Sequence, residues 1–137
     1  LNRVFADTFY WIALTYSDDA SHAAAVAFDT SPGRPPIITT EEILTELLTF
    51  FGGQGMFLRA KALAVTKRIL RARNVRVLAQ THETFSGGLD LYAMRLDKGY
   101  SMTDCISMDT MRREGLTDVL TNDRHFEQEG FKALLRS

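Results

Sequence analysis

A single cysteine, Cys105, is all the thiol chemistry this 137-residue chain carries. That excludes an internal disulfide framework and every multi-cysteine zinc site, and makes a reducing cytoplasm the natural setting. Long apolar runs are absent as well: none approaches the ~18 residues of a membrane span. No basic stretch leads into an apolar core at the start, and Asp7 interrupts the first apolar segment, so no signal peptide is expected. The first residue is Leu1 rather than Met, from which a residue or more is expected to precede it. Net charge is close to nil at −1, so the molecule as a whole is no generic binder of polyanions. No internal repeat, low-complexity tract or domain boundary stands out. Hydrophobic content of 45% and charged content of 24% are ordinary for a soluble protein, and residues 1–137 read as one domain.

What is present alternates. Asn2–Ala6 reads as a short buried strand, and Asp7–Tyr16 as a helix with Phe9, Ile12, Ala13 and Tyr16 at helical spacing. Ser21 is placed to cap a helix running to about Asp29. All three prolines fall in Ser31–Pro36, which is therefore a loop. Ile37–Thr39 reads as a strand, and Thr40 as the N-cap of a helix carrying Ile43, Leu44, Leu47, Leu48 and Phe51. The run Gly52-Gly53-Gln54-Gly55 lacks the Lys-Ser/Thr of a phosphate-cradling loop and reads as a turn. A helix follows over 56–72, apolar at Leu63, Ile69 and Leu70, then a strand at Val75–Leu78. Thr81–Lys98 is expected to be helical but interrupted at Gly87-Gly88, and Ser101–Glu114 helical again. Asp118–Thr121 reads as a fourth strand and Phe131–Leu134 as a fifth. Strands alternating with helices predict an α/β fold with a parallel sheet covered on both faces.

Four acids stand where strands give way to helices or just inside a helix: Asp7, Glu46, Asp104 and Asp123. In open α/β sheets, ligands gather at the carboxyl ends of the strands. Each acid has a plainer reading. Asp7 fits an N-cap, Asp123 a turn, and Asp104 the last position of a Ser101-x-x-Asp104 capping box. Glu46 is the most telling. On a helical wheel it borders the apolar arc beside Ile43 and Phe50, with Glu42 pointing further toward solvent, and a carboxylate so placed is usually paired with a cation. Its stem could instead lie along the apolar edge with the head in water.

Clustered carboxylates repel one another, and a divalent cation relieves the repulsion. An all-oxygen set selects hard ions such as Mg²⁺ or Mn²⁺ over zinc. Such a site polarises a phosphoryl oxygen and lowers the pKa of a bound water, so no nucleophilic Ser or Cys is required. Cys105 reads as a small core residue. The three histidines, His22, His82 and His125, share no ligand spacing, and His125 is equally open to substrate contact, capping or packing. Between Arg59 and Arg76 lie seven basic residues and no acid. Lys67, Arg68 and Arg71 form a stripe along one helix, either a phosphate-binding rim or a solvated face.

These residues resemble those of a PIN-domain ribonuclease, specifically a VapC-like toxin of a bacterial type II toxin–antitoxin pair. The matching pieces are Val-Phe-Ala-Asp-Thr at 4–8, Ile-Leu-Thr-Glu-Leu at 43–47, Ser-Met-Thr-Asp-Cys-Ile-Ser at 101–107 and Leu-Thr-Asn-Asp-Arg-His-Phe at 120–126, followed by Gly130-Phe131. The resemblance spans almost the whole chain, and the last two pieces are its more specific part. It implies a three-layer α/β/α sandwich with a central, mainly parallel sheet. It also implies Mg²⁺- or Mn²⁺-dependent cleavage of RNA by metal-activated water, leaving a 5′-phosphate and a 3′-hydroxyl. Asp7, Glu46, Asp104 and Asp123 would be both metal ligands and catalytic residues. Thr121 would orient Asp123 or bind substrate, and Ser101 would cap the helix bearing Asp104. The implied partners are RNA, a cognate antitoxin and a second copy in a homodimer. Asp109, about 500° around the helix from Asp104, is left out. The competing expectation is a non-catalytic RNA- or protein-binding module on the same fold. A phosphatase would place a second Asp at position 9, where Phe9 stands, and a receiver domain an Asp after Leu78-Ala79.

Overall fold

The apolar triplet Val4–Ala6 is fully buried and forms β1 at the middle of a parallel sheet. It pairs with β2 (Ile37–Thr40) on one side and β4 (Asp118–Leu120) on the other. β3 (Val75–Leu78) extends the sheet beyond β2, and β5 (Lys132–Ala133) beyond β4, giving the order β3-β2-β1-β4-β5. The computed structural model describes residues 2–136; of the span 1–137 read as one domain, Leu1 and Ser137 lie outside the described residues.

Between the strands run α1 (Thr8–Thr15), α2 (His22–Asp29), α3 (Glu41–Gly52), α4 (Met56–Arg71), α5 (His82–Met94), α6 (Met102–Glu114) and the short α7 (Arg124–Gln128). Helices α1, α2 and α4 group on one flank, and α5, α6 and α7 on the other, while α3 touches both α1 and α6. The sandwich expected from the alternation and from the resemblance is what the chain forms. Its core runs from Phe5, Ile37, Ile38, Val119 and Leu120 in the sheet to Tyr10, Leu47, Phe51, Met108 and Met111 in the helices, all buried.

Local signals set most boundaries. Thr40 caps α3 by accepting from the Ile43 amide, as read from sequence. Gly55 precedes α4 with φ +93°, a conformation that favours glycine, so the glycine-rich run is a reversal between two helices. Ser21 occupies the N-cap position of α2 without a side-chain cap bond; its own amide is instead bound by Asp19.

Three expectations change. Helix α5 is continuous through Gly87-Gly88 and ends at Met94. These glycines mark a close approach of α6: a Cβ on Gly88 would lie 2.4 Å from Ile106 Cγ1 and 3.1 Å from its Cα, and one on Gly87 would meet the Asp109 carboxylate. On α4 the buried face is Ala62, Val65, Thr66 and Ile69, while Leu63 and Leu70 stand half-exposed. Of the three apolar residues read for this helix, Ile69 is in the core as expected; the smaller Ala62, Val65 and Thr66 carry the rest of the face, so apolarity alone picked their neighbours Leu63 and Leu70. Glu42 does not simply point to solvent: one carboxylate oxygen is shielded, and the other accepts the hydroxyl of Thr84 in the first turn of α5.

The glycine pair gives a stability prediction. Gly88→Ala should destabilise the protein by about 1–3 kcal/mol, because its new methyl meets backbone that cannot move aside. Gly87→Ala meets only a side-chain end, the Asp109 carboxylate, which must swing away at some cost to its pairing with Arg113, and gains up to about 1 kcal/mol of helix propensity, so it should cost less than Gly88→Ala. Urea denaturation of the two variants beside the parent checks this.

Candidate active site

After β1 the chain goes out to β2 and β3 on one side, then returns to β4 and β5 on the other. The carboxyl ends of β1 and β4 therefore flank the point where the strand order reverses, which is where open α/β sheets form a crevice. Asp7 is the first residue past β1, and Thr121 the first past β4, with Ala6 and Leu120 in register before them. Thr121 is fully buried and donates its hydroxyl to Asp7 Oδ2 at 2.8 Å. The Thr121 hydroxyl oxygen itself accepts from the Asp123 amide at 3.1 Å. One hydroxyl thus ties two of the acids to adjacent strands.

Asp7 stands at the N-cap position of α1 but makes no side-chain cap bond there, so the plain capping reading does not describe it. Burial pushes its carboxyl up to about 7, with the charges of Asp104 and Glu46 adding to the rise and the Thr121 hydroxyl opposing it. Glu46 projects from α3 and accepts the hydroxyl of Thr8, the first residue of α1. Asp104 is held by a complete capping box: Ser101 Oγ accepts from the Asp104 amide, and Asp104 Oδ2 accepts from the Ser101 amide. Here the capping role and a place in the site coincide. Burial raises the Asp104 carboxyl, and Asp123 adds to this, against the capping amide and His125. Asp123 caps α7 through the His125 amide at 2.9 Å.

The structure thus brings Asp7, Glu46, Asp104, Asp123, Ser101 and Thr121 together. It does not bring Lys67, Arg68 and Arg71 to them. Arg68 lines a cleft of about 360 Å³ with Ile37, Ala72, Asn74 and Val75, at the amino ends of β2 and β3. Arg71 closes α4 immediately before β3, at the same end. The cations nearest the Asp123 turn are exposed Arg124, next to Asp123 in the chain, and Arg136, whose Nη1 donates to the Asn122 carbonyl while its Nε pairs with Glu127. Asp109 pairs with Arg113 on the α5 side of α6, away from the acids.

Two residues without an assigned role also belong to this place. Thr8 fixes Glu46, and its signal was only its position after Asp7. His125 lies with Asp104 and Asp123, and one ligand atom from each of the three falls within 4.8 Å of the others, the one group of three or more such residues to do so among the described residues. His125 Nδ1 is shielded from solvent and has no hydrogen-bond partner. Such a nitrogen beside two carboxylates is a donor set suited to a divalent cation. Cys105, fully buried in the core, takes no part. No helix among the described residues is long and apolar enough to cross a membrane.

Comparison with known proteins fits this geometry. The sequence profile of the PIN domain matches residues 4–132. The chain is 27% identical over 129 residues to the 23S rRNA-specific endonuclease VapC20 of Mycobacterium tuberculosis, covering 93% of this chain and 95% of that protein. The crystal structure of that Mycobacterium tuberculosis VapC20, a sarcin–ricin loop cleaving toxin, superposes with a TM-score of 0.84 at 26% identity, over 96% of this chain and 98% of that one. FitAcB from Neisseria gonorrhoeae shares the fold at a TM-score of 0.63 and 15% identity, over 95% and 94% of the two chains.

The Asp7 shift has a thermodynamic sign. Between its ordinary value of 3.8 and about 7 the folded protein keeps a proton that the unfolded chain has released. Stability of the metal-free protein should therefore fall as pH rises through that window and level off above it, by up to a few kcal/mol at about 1.4 kcal/mol per unit. Asp7→Asn removes the cost and still accepts from Thr121. In thermal melts with chelator at pH 8, the variant should melt several degrees above the parent, and the gap should narrow toward pH 5.

Proposed function

The chain belongs to the PIN-domain family, and from that membership we propose that it is a divalent-metal-dependent endoribonuclease. In this reading it is a single nuclease domain acting in the cytoplasm as the toxin of a toxin–antitoxin pair. Its ion, Mg²⁺ or Mn²⁺, is held by Asp7, Glu46, Asp104 and Asp123. The observation that carries this is Asp7: a buried carboxylate at the sheet's switch point, facing other carboxylates, with no cationic side chain among the described residues bonded to it. A group so placed is costly unless a cation joins it.

When bound, a divalent ion supplies Lewis acidity to a phosphoryl oxygen and a water of lowered pKa. The chain's own residues supply position. Thr121 holds Asp7 and the Asp123 turn in one hydrogen-bonded unit. Thr8 locks Glu46 toward Asp7, and Ser101 fixes Asp104 at the start of α6. Carboxylates held this way need little rearrangement during reaction, and preorganised charge is the usual source of large rate effects. Arg124 and Arg136 stand where they can take the flanking phosphates of an RNA strand. Lys67, Arg68 and Arg71 can reach phosphate only along a strand that continues around to the amino ends of β2 and β3. The VapC20 relative makes large-subunit ribosomal RNA the first substrate to map. A cognate antitoxin and a homodimer are the partners that accompany this function.

Purified protein should cut RNA with Mg²⁺ or Mn²⁺ and lose activity in EDTA. Asp7→Asn and Asp104→Asn should each lower cleavage by at least about 100-fold while circular dichroism stays native, as expected when preorganised charge at the reacting centre is removed. Mapping the cut ends on total RNA gives the target. Unchanged cleavage in both variants would overturn the assignment, and RNA binding without cleavage at any metal concentration would favour the non-catalytic module.

A further inference from the structure

The four-acid reading gives His125 no task, yet its surroundings are specific. The ring is 32% exposed, but Nδ1 is turned inward, shielded and unpartnered. It stands 3.5 Å from Asp104 Oδ2 and 3.4 Å from Asp123 Oδ1. Both separations exceed the roughly 2.7–3.2 Å of an N–H···O hydrogen bond. They match the spacing of atoms that share one cation, about 3–4 Å for bonds near 2.1 Å.

The ring is also held in place from behind. Its backbone amide is bound by Asp123, and Tyr100 packs against it with ring centroids 5.0 Å apart. Tyr100 in turn donates to Glu129 at 2.8 Å, and Glu129 is gripped by Arg95 and Arg112. A side chain positioned this firmly, with a nitrogen within ion-pairing reach of two carboxylates but in close hydrogen-bonding contact with neither, is built to accept something between them. The other histidines are engaged elsewhere: His22 Nδ1 lies 2.7 Å from the Ala13 carbonyl oxygen, and His82 Nε2 3.4 Å from Ser86 Oγ.

We propose that His125 Nδ1 is a nitrogen ligand to the divalent ion shared by Asp104 and Asp123, which makes the centre a mixed nitrogen–oxygen site that prefers Mn²⁺ to Mg²⁺. This rests on the reading of the acids as a metal site. The preference follows from the donors, because imidazole suits first-row transition ions whereas Mg²⁺ keeps to oxygen ligands and water. It also changes the expectation from sequence, where an all-oxygen set left Mg²⁺ and Mn²⁺ level.

The test needs no turnover. Metal-free full-length protein is loaded with Mn²⁺, and electron spin-echo envelope modulation reads whether a nitrogen nucleus couples to the ion. Calorimetry then gives Mn²⁺ and Mg²⁺ affinities for the parent and for His125→Gln. The parent should show nitrogen modulation and the variant none. The variant should bind Mn²⁺ about tenfold or more weakly, as ligand-shell changes usually do, and Mg²⁺ within about threefold of the parent. Absence of nitrogen modulation in the Mn²⁺-loaded parent overturns the proposal, and because it is read on the unaltered chain it does not depend on how the variant folds. Persistent modulation in His125→Gln, or unchanged Mn²⁺ affinity, overturns it as well while leaving the four-acid site standing. Failure of the parent to bind either ion removes both readings together.

Discussion

The hydrogen bond from Thr121 to Asp7 joins the carboxyl ends of the two central strands, and the rest of the site is arranged around it. It places a carboxylate in a fully buried position that burial alone disfavours. The bond offsets only part of that cost, so the apo site carries a standing electrostatic deficit. Every neighbouring acid enlarges it: Glu46 from α3 and Asp104 from α6 both push Asp7 further from its ordinary range. A cation is the natural complement of such an arrangement, and the deficit ties stability to metal occupancy.

Much of the site is made from ordinary helix-end chemistry. Ser101 and Asp104 form a capping box, and Asp123 caps α7, yet both carboxylates still face the same small volume. Asking whether such an acid is a cap or a functional group sets up a false choice. The cap fixes the carboxylate's orientation, and the fixed orientation is what makes it useful. Asp7 shows the contrast: it has the cap position without the cap bond, and its side chain is given to Thr121 instead.

Legibility in the sequence followed physical range. Where the signal was local, as with Thr40 capping α3, the Ser101–Asp104 box or the strand at Val75–Leu78, structure and reading agree. Where another element decided the outcome, they part. The Gly87-Gly88 pair looked like a helix break, but its meaning is the closeness of Ile106 on α6. Leu63 and Leu70 looked like core, but the packed face of α4 is carried by Ala62, Val65, Thr66 and Ile69. The basic stripe on α4 was open to two readings, a rim for phosphate or a solvated face, and what the fold adds is its position: α4 ends toward the amino ends of β2 and β3, away from the acids.

The sequence by itself determined the alternation of strands and helices, the caps, and the identity of the acids, because each depends on side chains a few residues apart. It also carried enough of the family's pattern to indicate the chemistry. Strand order was decided only in three dimensions, and strand order is what sets β4 beside β1 and so brings Thr121 to Asp7 across 114 residues of chain. The same folding turned His125 inward between Asp104 and Asp123, with Tyr100 behind it. No spacing rule could find that, because the distance between a ring nitrogen and two carboxylates depends on how α6 and α7 pack, not on how far apart they lie in sequence.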